Sequence, residues 1–160
     1  MALAAALLVL NACGFHLRGV RPLPFATIYL GANPDYSPLF GELRREIEAT
    51  GKTRVVSNPA EAEVRVELTN FNRDMEILSL SATGQVQEYR IELTIHFRVV
   101  DQGGKVLVEP KTLSAYRDYY YNDALVLAKE QEAEMLFRDM ERDLMFQILR
   151  RVSALADESP

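Results

Sequence analysis

Alternating apolar and polar residues predict two strands in the middle of the chain. Ala62, Val64, Val66 and Leu68 are separated by polar residues, and a longer alternation runs over residues 89–99. A period of two places the apolar side chains on one face of a strand, so both strands are expected to be half-buried.

A third strand is expected to pair with the longer alternation. Gly103 and Gly104 supply the flexible backbone that a tight reversal needs. Residues 106–108 and 112–121 should therefore fold back as the partner strand, with Pro110 at a bulge or an edge. A short strand is also predicted at residues 27–30, before a turn signal at Asn33 and Pro34.

Two segments have the helical period instead. The first spans about residues 38–50, and the second about residues 124–156. One stripe of the second helix carries Ala133, Leu136, Phe137, Met140, Leu144, Ile148, Val152 and Leu155. A second apolar face is expected roughly opposite, formed by Met135, Phe146 and Leu149, which indicates that the helix is covered twice.

These elements predict an α+β fold. We expect a two-layer domain, with a mixed or antiparallel sheet of about four strands and two helices packed on one of its faces. The domain is expected at residues 27–156, preceded by a leader at 13–26 and followed by a short tail at 157–160. The length suits a single core.

The charge balance narrows the partners. The formal net charge is −5 and 48% of the residues are hydrophobic, which is a globular composition. An acidic chain is not expected to bind nucleic acid, because phosphate backbones require a dense basic surface. An anionic lipid held by a local basic patch stays compatible with this charge.

The start of the chain has the pattern of a bacterial lipoprotein signal. An uncharged apolar run over residues 2–10 is too short to span a bilayer and leads to Cys13, the only cysteine. We expect residues 1–12 to be a signal peptide and Cys13 to be the lipidated mature N-terminus. The alternative is a buried apolar helix with an incidental cysteine. Lipidation would leave no thiol for a disulfide or a metal site.

No catalytic constellation is apparent. His16 and His96 lack ligand spacing with another histidine, cysteine or carboxylate. Neither a nucleophile elbow nor a phosphate-cradling glycine loop is found. We therefore expect no enzyme activity, no cofactor and no metal.

Three segments carry a family resemblance. The run from Cys13 to Gly19, the segment from Gly84 to Tyr89, and Ala128-Lys129-Glu130 with Glu134 occur in the order and spacing of the lipopolysaccharide-assembly lipoprotein family LptE. The chain resembles this family over essentially its whole mature length. The resemblance implies a sheet covered by two helices, in agreement with the pattern above.

The resemblance also implies a function and a site. Such a protein would sit, one to one, as a non-enzymatic plug inside the LptD β-barrel of the outer membrane and help to deliver lipopolysaccharide to the outer leaflet. It implies basic lipopolysaccharide contacts near the loop before Gly84 and in the Ala-Lys segment. Lys129 fits the second contact, although pairing with Glu132 or Glu134 is equally compatible with its position. Residues 82–84 carry no charge, so Arg73 and Arg90 are the remaining candidates.

Partner contacts are expected at the polar loop 78–85 and at aromatic or apolar side chains outside the main stripe. The candidates are Leu78, Leu80, Thr83, Gly84, Tyr119, Tyr120, Met135 and Phe146. A plain hairpin tip and ordinary core packing are the alternatives. The competing function is a generic periplasmic lipoprotein scaffold or binding module without a lipopolysaccharide role.

Overall fold

Five strands form one sheet in the computed structural model, which describes residues 23–31 and 37–155. They are β1 (Thr27–Gly31), β2 (Arg54–Val56), β3 (Val64–Leu80), β4 (Val86–Asp101) and β5 (Val106–Tyr120). Their spatial order is β2-β1-β3-β4-β5. β1 is parallel to both neighbours, and β3, β4 and β5 are antiparallel. The α+β fold is confirmed, with five strands instead of about four.

The three long strands make the sheet markedly elongated. β3 has 17 residues, so it spans roughly 55 Å at about 3.3 Å per residue. It continues far beyond the predicted strand, and it includes Leu78 and Leu80. The predicted loop 78–85 is therefore too long, because only residues 81–85 form the turn between β3 and β4. We call this turn and the adjoining strand ends the tip of the sheet.

Two helices pack against one face of the sheet. They are α1 (Ser37–Ala49) and α2 (Val126–Ala154), close to the predicted ranges. The predicted start of the second helix is slightly early, because residues 123–125 form a 3-10 turn capped by the side chain of Asn122. Among the described residues, no helix is long and apolar enough to cross a membrane.

A single hydrophobic core lies between the helices and the sheet. Ile28 on β1, Leu43 and Ile47 on α1, and Met140 on α2 are all in the same cluster of buried residues. Leu149 was expected on an outer face of α2, but it is only 1% exposed. Because α2 contacts α1 as well as the sheet, it buries a wider arc than a single stripe.

Pro110 lies in a bulge on an edge strand. Val99 pairs with Val108 and Phe97 pairs with Lys111, so two residues of β5 face one residue of β4. β5 is the last strand of the sheet. Both predictions for Pro110 are confirmed, since a proline tolerates a site where no ladder hydrogen bond is needed.

Candidate functional site

The sheet extends beyond its helix cover near the tip. On the helix side, Met75 and Ile77 of β3 are 48% and 51% exposed. Further back along the sheet, Leu93 and Ile95 on the same side are completely buried. At this exposed apolar end, the packing leaves room for a partner or ligand.

A groove of about 390 Å³ lies between the tip and the first turns of α2. Its sheet side is formed by Arg73, Met75, Tyr89, Tyr119 and Tyr121. Its helix side is formed by Glu130, Ala133, Glu134 and Phe137. The groove therefore combines aromatic walls with carboxylates on the helix.

The tyrosine rings of the groove pack against one another. The ring of Tyr89 stacks on Tyr119 at a centroid distance of 5.9 Å and meets Tyr121 edge-to-face at 5.2 Å. Such packing fixes ring positions. Burial raises the pKa of Tyr119, and the negative charges of Glu132 and Glu130 raise it further. The hydroxyl of Tyr119 therefore stays protonated.

Arg73 is held by two carboxylates of α2. Its Nε donates to Glu141 at 3.0 Å and its Nη1 donates to Glu134 at 3.0 Å, while Nη2 makes a further short contact with Glu141. The guanidinium also lies 4.9 Å from the ring centre of Phe137. Burial lowers the pKa of Arg73, but the hydrogen bonds and charges of Glu141 and Glu134 outweigh it and raise the pKa.

Arg90 lies on the opposite, uncovered face of the sheet. It binds Asp118 through two hydrogen bonds of 2.8 and 2.9 Å, and it lies 4.7 Å from the ring centre of Tyr116. The hydrogen bond from Arg90 lowers the pKa of Asp118. This pair is a fork-like contact on a solvent-exposed surface.

Lys129 forms a local ion pair. Its Nζ lies 2.7 Å from Glu132, one helical turn later, and its side chain is 19% exposed. The fold does not gather the three candidate cations into one cluster, since Arg73 and Arg90 lie on opposite faces. Each of the three has a carboxylate partner within the chain.

The predicted contact residues are divided between surface and core. Tyr120, Met135 and Leu80 are 72%, 53% and 56% exposed, and Leu78 is 37% exposed. Thr83 and Gly84 are exposed in the turn. By contrast, Tyr119 is buried and Phe146 packs against the core.

Sequence reasoning missed several groove residues. Met75 and Phe137 were not identified as site residues, nor was Ile77 beside the groove, and Glu130 was considered only within the Ala128-Lys129-Glu130 segment. The signal was obscured because register shifts between Leu68 and Asn70 and near Ser79 interrupt the alternation of β3. At each shift, the odd- and even-numbered residues of β3 exchange faces of the sheet.

The uncovered face is polar and internally paired. Arg98 donates to Glu67 at 2.7 Å, and the hydroxyls of Thr94 and Ser114 lie 3.0 Å apart. Within residues 23–31 and 37–155, no three histidine, cysteine or acidic side chains are grouped so as to hold a metal ion. This face can offer hydrogen bonds to a polar surface.

The fold places the chain among small bacterial lipoprotein domains. It is similar to the solution structure of an uncharacterised lipoprotein B from Nitrosomonas europaea, with 33% identity, a TM-score of 0.72, and coverage of 90% of this chain and 93% of the other. It is also similar to the crystal structure of a minor lipoprotein from Acinetobacter baumannii, with 27% identity, a TM-score of 0.66, and coverage of 83% and 94%.

The sequence defines the family more closely. The family model for LptE, described as lipopolysaccharide-assembly, matches residues 25–152. The LPS-assembly lipoprotein LptE of Pectobacterium atrosepticum is 23% identical, covering 95% of this chain and 83% of the relative. That of Yersinia enterocolitica is 26% identical, covering 94% and 72%. The chain belongs to the LptE family, and its role is in lipopolysaccharide assembly.

Proposed function

We propose that this chain is an outer-membrane lipoprotein that plugs and supports an LptD-like β-barrel and helps to deliver lipopolysaccharide to the outer leaflet. Lipid on Cys13 anchors it on the periplasmic side, and the domain occupies the barrel lumen in a one-to-one complex. The observation that carries the proposal is the family match over residues 25–152.

The uncovered sheet face supports a position inside a barrel. Outer-membrane barrels have polar interiors, so a plug needs a polar surface that fills the lumen. The outer side chains of β3, β4 and β5 provide charge pairs and hydroxyls such as Arg98 with Glu67 and Thr94 with Ser114. The exposed apolar tip adds a second contact of different character.

The proposed role includes no catalytic step. His96, on the uncovered face, is hydrogen-bonded to the hydroxyl of Thr112 at 3.0 Å, which gives it a structural neighbour instead of a carboxylate that would orient a base. Delivery of a lipid through a barrel needs positioned contacts and no bond breakage.

Site-specific crosslinking in native membranes tests the proposal. A photo-reactive residue at Thr94, on the uncovered face, should join the full chain one-to-one to a large β-barrel protein. The control carries the same photo-reactive residue at Lys52, in the exposed connection before β2, at the end of the domain opposite the tip. A stable homo-oligomer without a barrel partner would exclude the proposal and favour a generic scaffold.

Lys129 is our preferred candidate for contact with a lipid A phosphate. Its ion pair with Glu132 is a local helix pair, worth only about 0.2–0.5 kcal/mol, so a phosphate can displace it at low cost. Arg73 and Arg90 stay candidates, but each would have to give up two or more hydrogen bonds.

Charge reversal at Lys129 should separate binding from folding. A charge-assisted hydrogen bond contributes roughly 1.5–3 kcal/mol, so Lys129→Glu should weaken lipopolysaccharide binding by about tenfold or more at low salt. The thermal midpoint should fall by only a few degrees, because Lys129 is partly buried and the substitution removes one local ion pair with Glu132. Lys105→Glu, in the β4–β5 turn, is the control. Equal affinity of both variants would remove Lys129 from the site.

A further inference from the structure

The groove at the tip has more negative than positive charge. Its lining contains Glu130 and Glu134 but only one cation, Arg73. Among the described residues, Glu130 makes no ion pair. Burial raises the pKa of Tyr119 and of Tyr121, and the negative charge of Glu130 adds a smaller increase to both. A carboxylate beside aromatic rings, without a cationic partner, favours a positively charged ligand.

Arg73 does not offer its charge to an anion in this groove. Its Nε, Nη1 and Nη2 all point to carboxylates, and one of these, Glu141, is 6% exposed. Withdrawing Arg73 would leave that buried carboxylate unpaired, which is costly. A phosphate would therefore meet two carboxylates and an occupied guanidinium.

The size of the groove also restricts the ligand. Pockets for drug-sized ligands have volumes of roughly 300–1,000 Å³. At about 390 Å³ the groove is at the small end of that range. It matches a single long side chain and cannot enclose a lipid with several acyl chains.

We propose that this groove binds an arginine side chain presented by a protein partner. The planar guanidinium can stack against the tyrosine rings and donate to Glu130, and its apolar stem can lie along Met75 and Phe137. Exposed Ile77, two residues beyond Met75 on β3, can receive an apolar neighbour of that arginine. The inference rests on the proposed function only in requiring a protein partner.

The chain's own leader is too short to supply this arginine. The carbonyl of Phe25 accepts a hydrogen bond from Thr53 beside β2, and Arg18 precedes Phe25 by seven residues, a span of at most about 25 Å. β1 starts beside Val64, and Met75 lies roughly 36 Å further along β3. The lateral distance across β1 adds to this separation.

Peptide binding to the purified full-length chain tests the proposal. The probe is acetyl-Leu-Arg-Leu-amide, and the matched peptide has citrulline, which has a similar shape without charge. Nuclear magnetic resonance of methionine methyl groups and tyrosine rings should show shifts at Met75, Tyr89 and Tyr121 for the arginine peptide. Glu130→Gln should weaken this binding by about 1.5-fold to fivefold, the range of an exposed ion pair. Glu92→Gln, on the exposed opposite face, should leave it unchanged.

Three outcomes would overturn the inference. The first is that the citrulline peptide binds as tightly as the arginine peptide. The second is that Glu130→Gln and Glu92→Gln weaken binding of the arginine peptide equally. The third is that inorganic phosphate shifts the same signals more strongly than the arginine peptide does. The result is independent of the crosslinking experiment. Peptide binding without a barrel partner would contradict only the proposed function, and a barrel partner without peptide binding would contradict only the groove assignment.

Discussion

At the scale of single residues, the pairing of Arg73 with Glu141 joins a sheet strand to a buried carboxylate of the helix. Glu141 is buried on α2, where a carboxylate without a partner would destabilise the folded protein. Arg73 reaches it from β3 and is itself only partly exposed. The pair therefore fixes the position of the sheet relative to the helix beside the groove.

Removing Arg73 should destabilise the fold. Arg73→Leu should lower the free energy of unfolding by about 2 kcal/mol, because the buried carboxyl group of Glu141 loses its hydrogen-bond and charge partner. The double variant Arg73→Leu with Glu141→Leu should recover most of that loss, since no buried charge remains. Urea unfolding followed by circular dichroism measures both.

Arg98→Leu is the matched control for this prediction. Arg98 pairs with Glu67 on the uncovered face, where its side chain is 45% exposed. The loss there should be at most about 1 kcal/mol. If Arg73→Leu costs no more than Arg98→Leu, the pair with Glu141 does not constrain the fold as proposed.

The same residues show what the sequence could and could not predict. The pair between Lys129 and Glu132 was foreseeable, because residues three apart on a helix are neighbours. The pair between Arg73 and Glu141 joins residues 68 positions apart. This pair depends on how α2 crosses the sheet, which no local pattern encodes. From the sequence, Arg73 could therefore be predicted only as a cation available to lipopolysaccharide, without a partner in the chain.

At the scale of elements, regular periodicity determined what was predictable. β4 and α2 were found because their apolar residues keep one period for many residues. β2 was missed because it has only three residues. The outer half of β3 was missed because bulges interrupt its alternation. That outer half carries Met75, so an error in one strand also concealed part of the sheet wall of the groove.

The β3–β4 turn gives a test at this scale. Gly84 has a φ of 82°, and no atom lies within 4 Å of the position that a Cβ would occupy there. Gly84→Ala therefore meets only the backbone cost of the left-handed region. We expect a loss of about 1 kcal/mol in the free energy of unfolding.

Gly41→Ala in α1 is the control for Gly84→Ala, with the opposite sign. Gly41 is in a regular helix, where a Cβ would meet only the flexible end of the Arg45 side chain at 3.9 Å. Alanine should therefore stabilise the protein by roughly 0.5–1 kcal/mol. Urea unfolding of the two variants should give shifts in opposite directions. A stabilising effect of Gly84→Ala would mean that the turn does not have this conformation.

At the scale of the whole molecule, the core and the exposed tip are at different places along the sheet. The helices cover the middle of the sheet and the end opposite the tip, where Ile28, Leu93 and Met140 are completely buried. The ends of the long strands carry exposed Met75 and Ile77 instead. A fold with this division can keep its stability in one region and use the other for contacts.

The described core is formed without the lipid-bearing segment, so we expect the lipid to anchor the protein without contributing to its stability. Cys13→Ala should move the protein from the membrane to the soluble periplasmic fraction and leave its thermal midpoint within about 2 °C, because the described core is formed by residues from Leu23 onward. Arg18→Ala keeps Cys13 and should stay on the membrane. Mass spectrometry of the wild-type N-terminus should find acyl chains on Cys13, and an unmodified thiol there or membrane retention of Cys13→Ala would contradict the anchor.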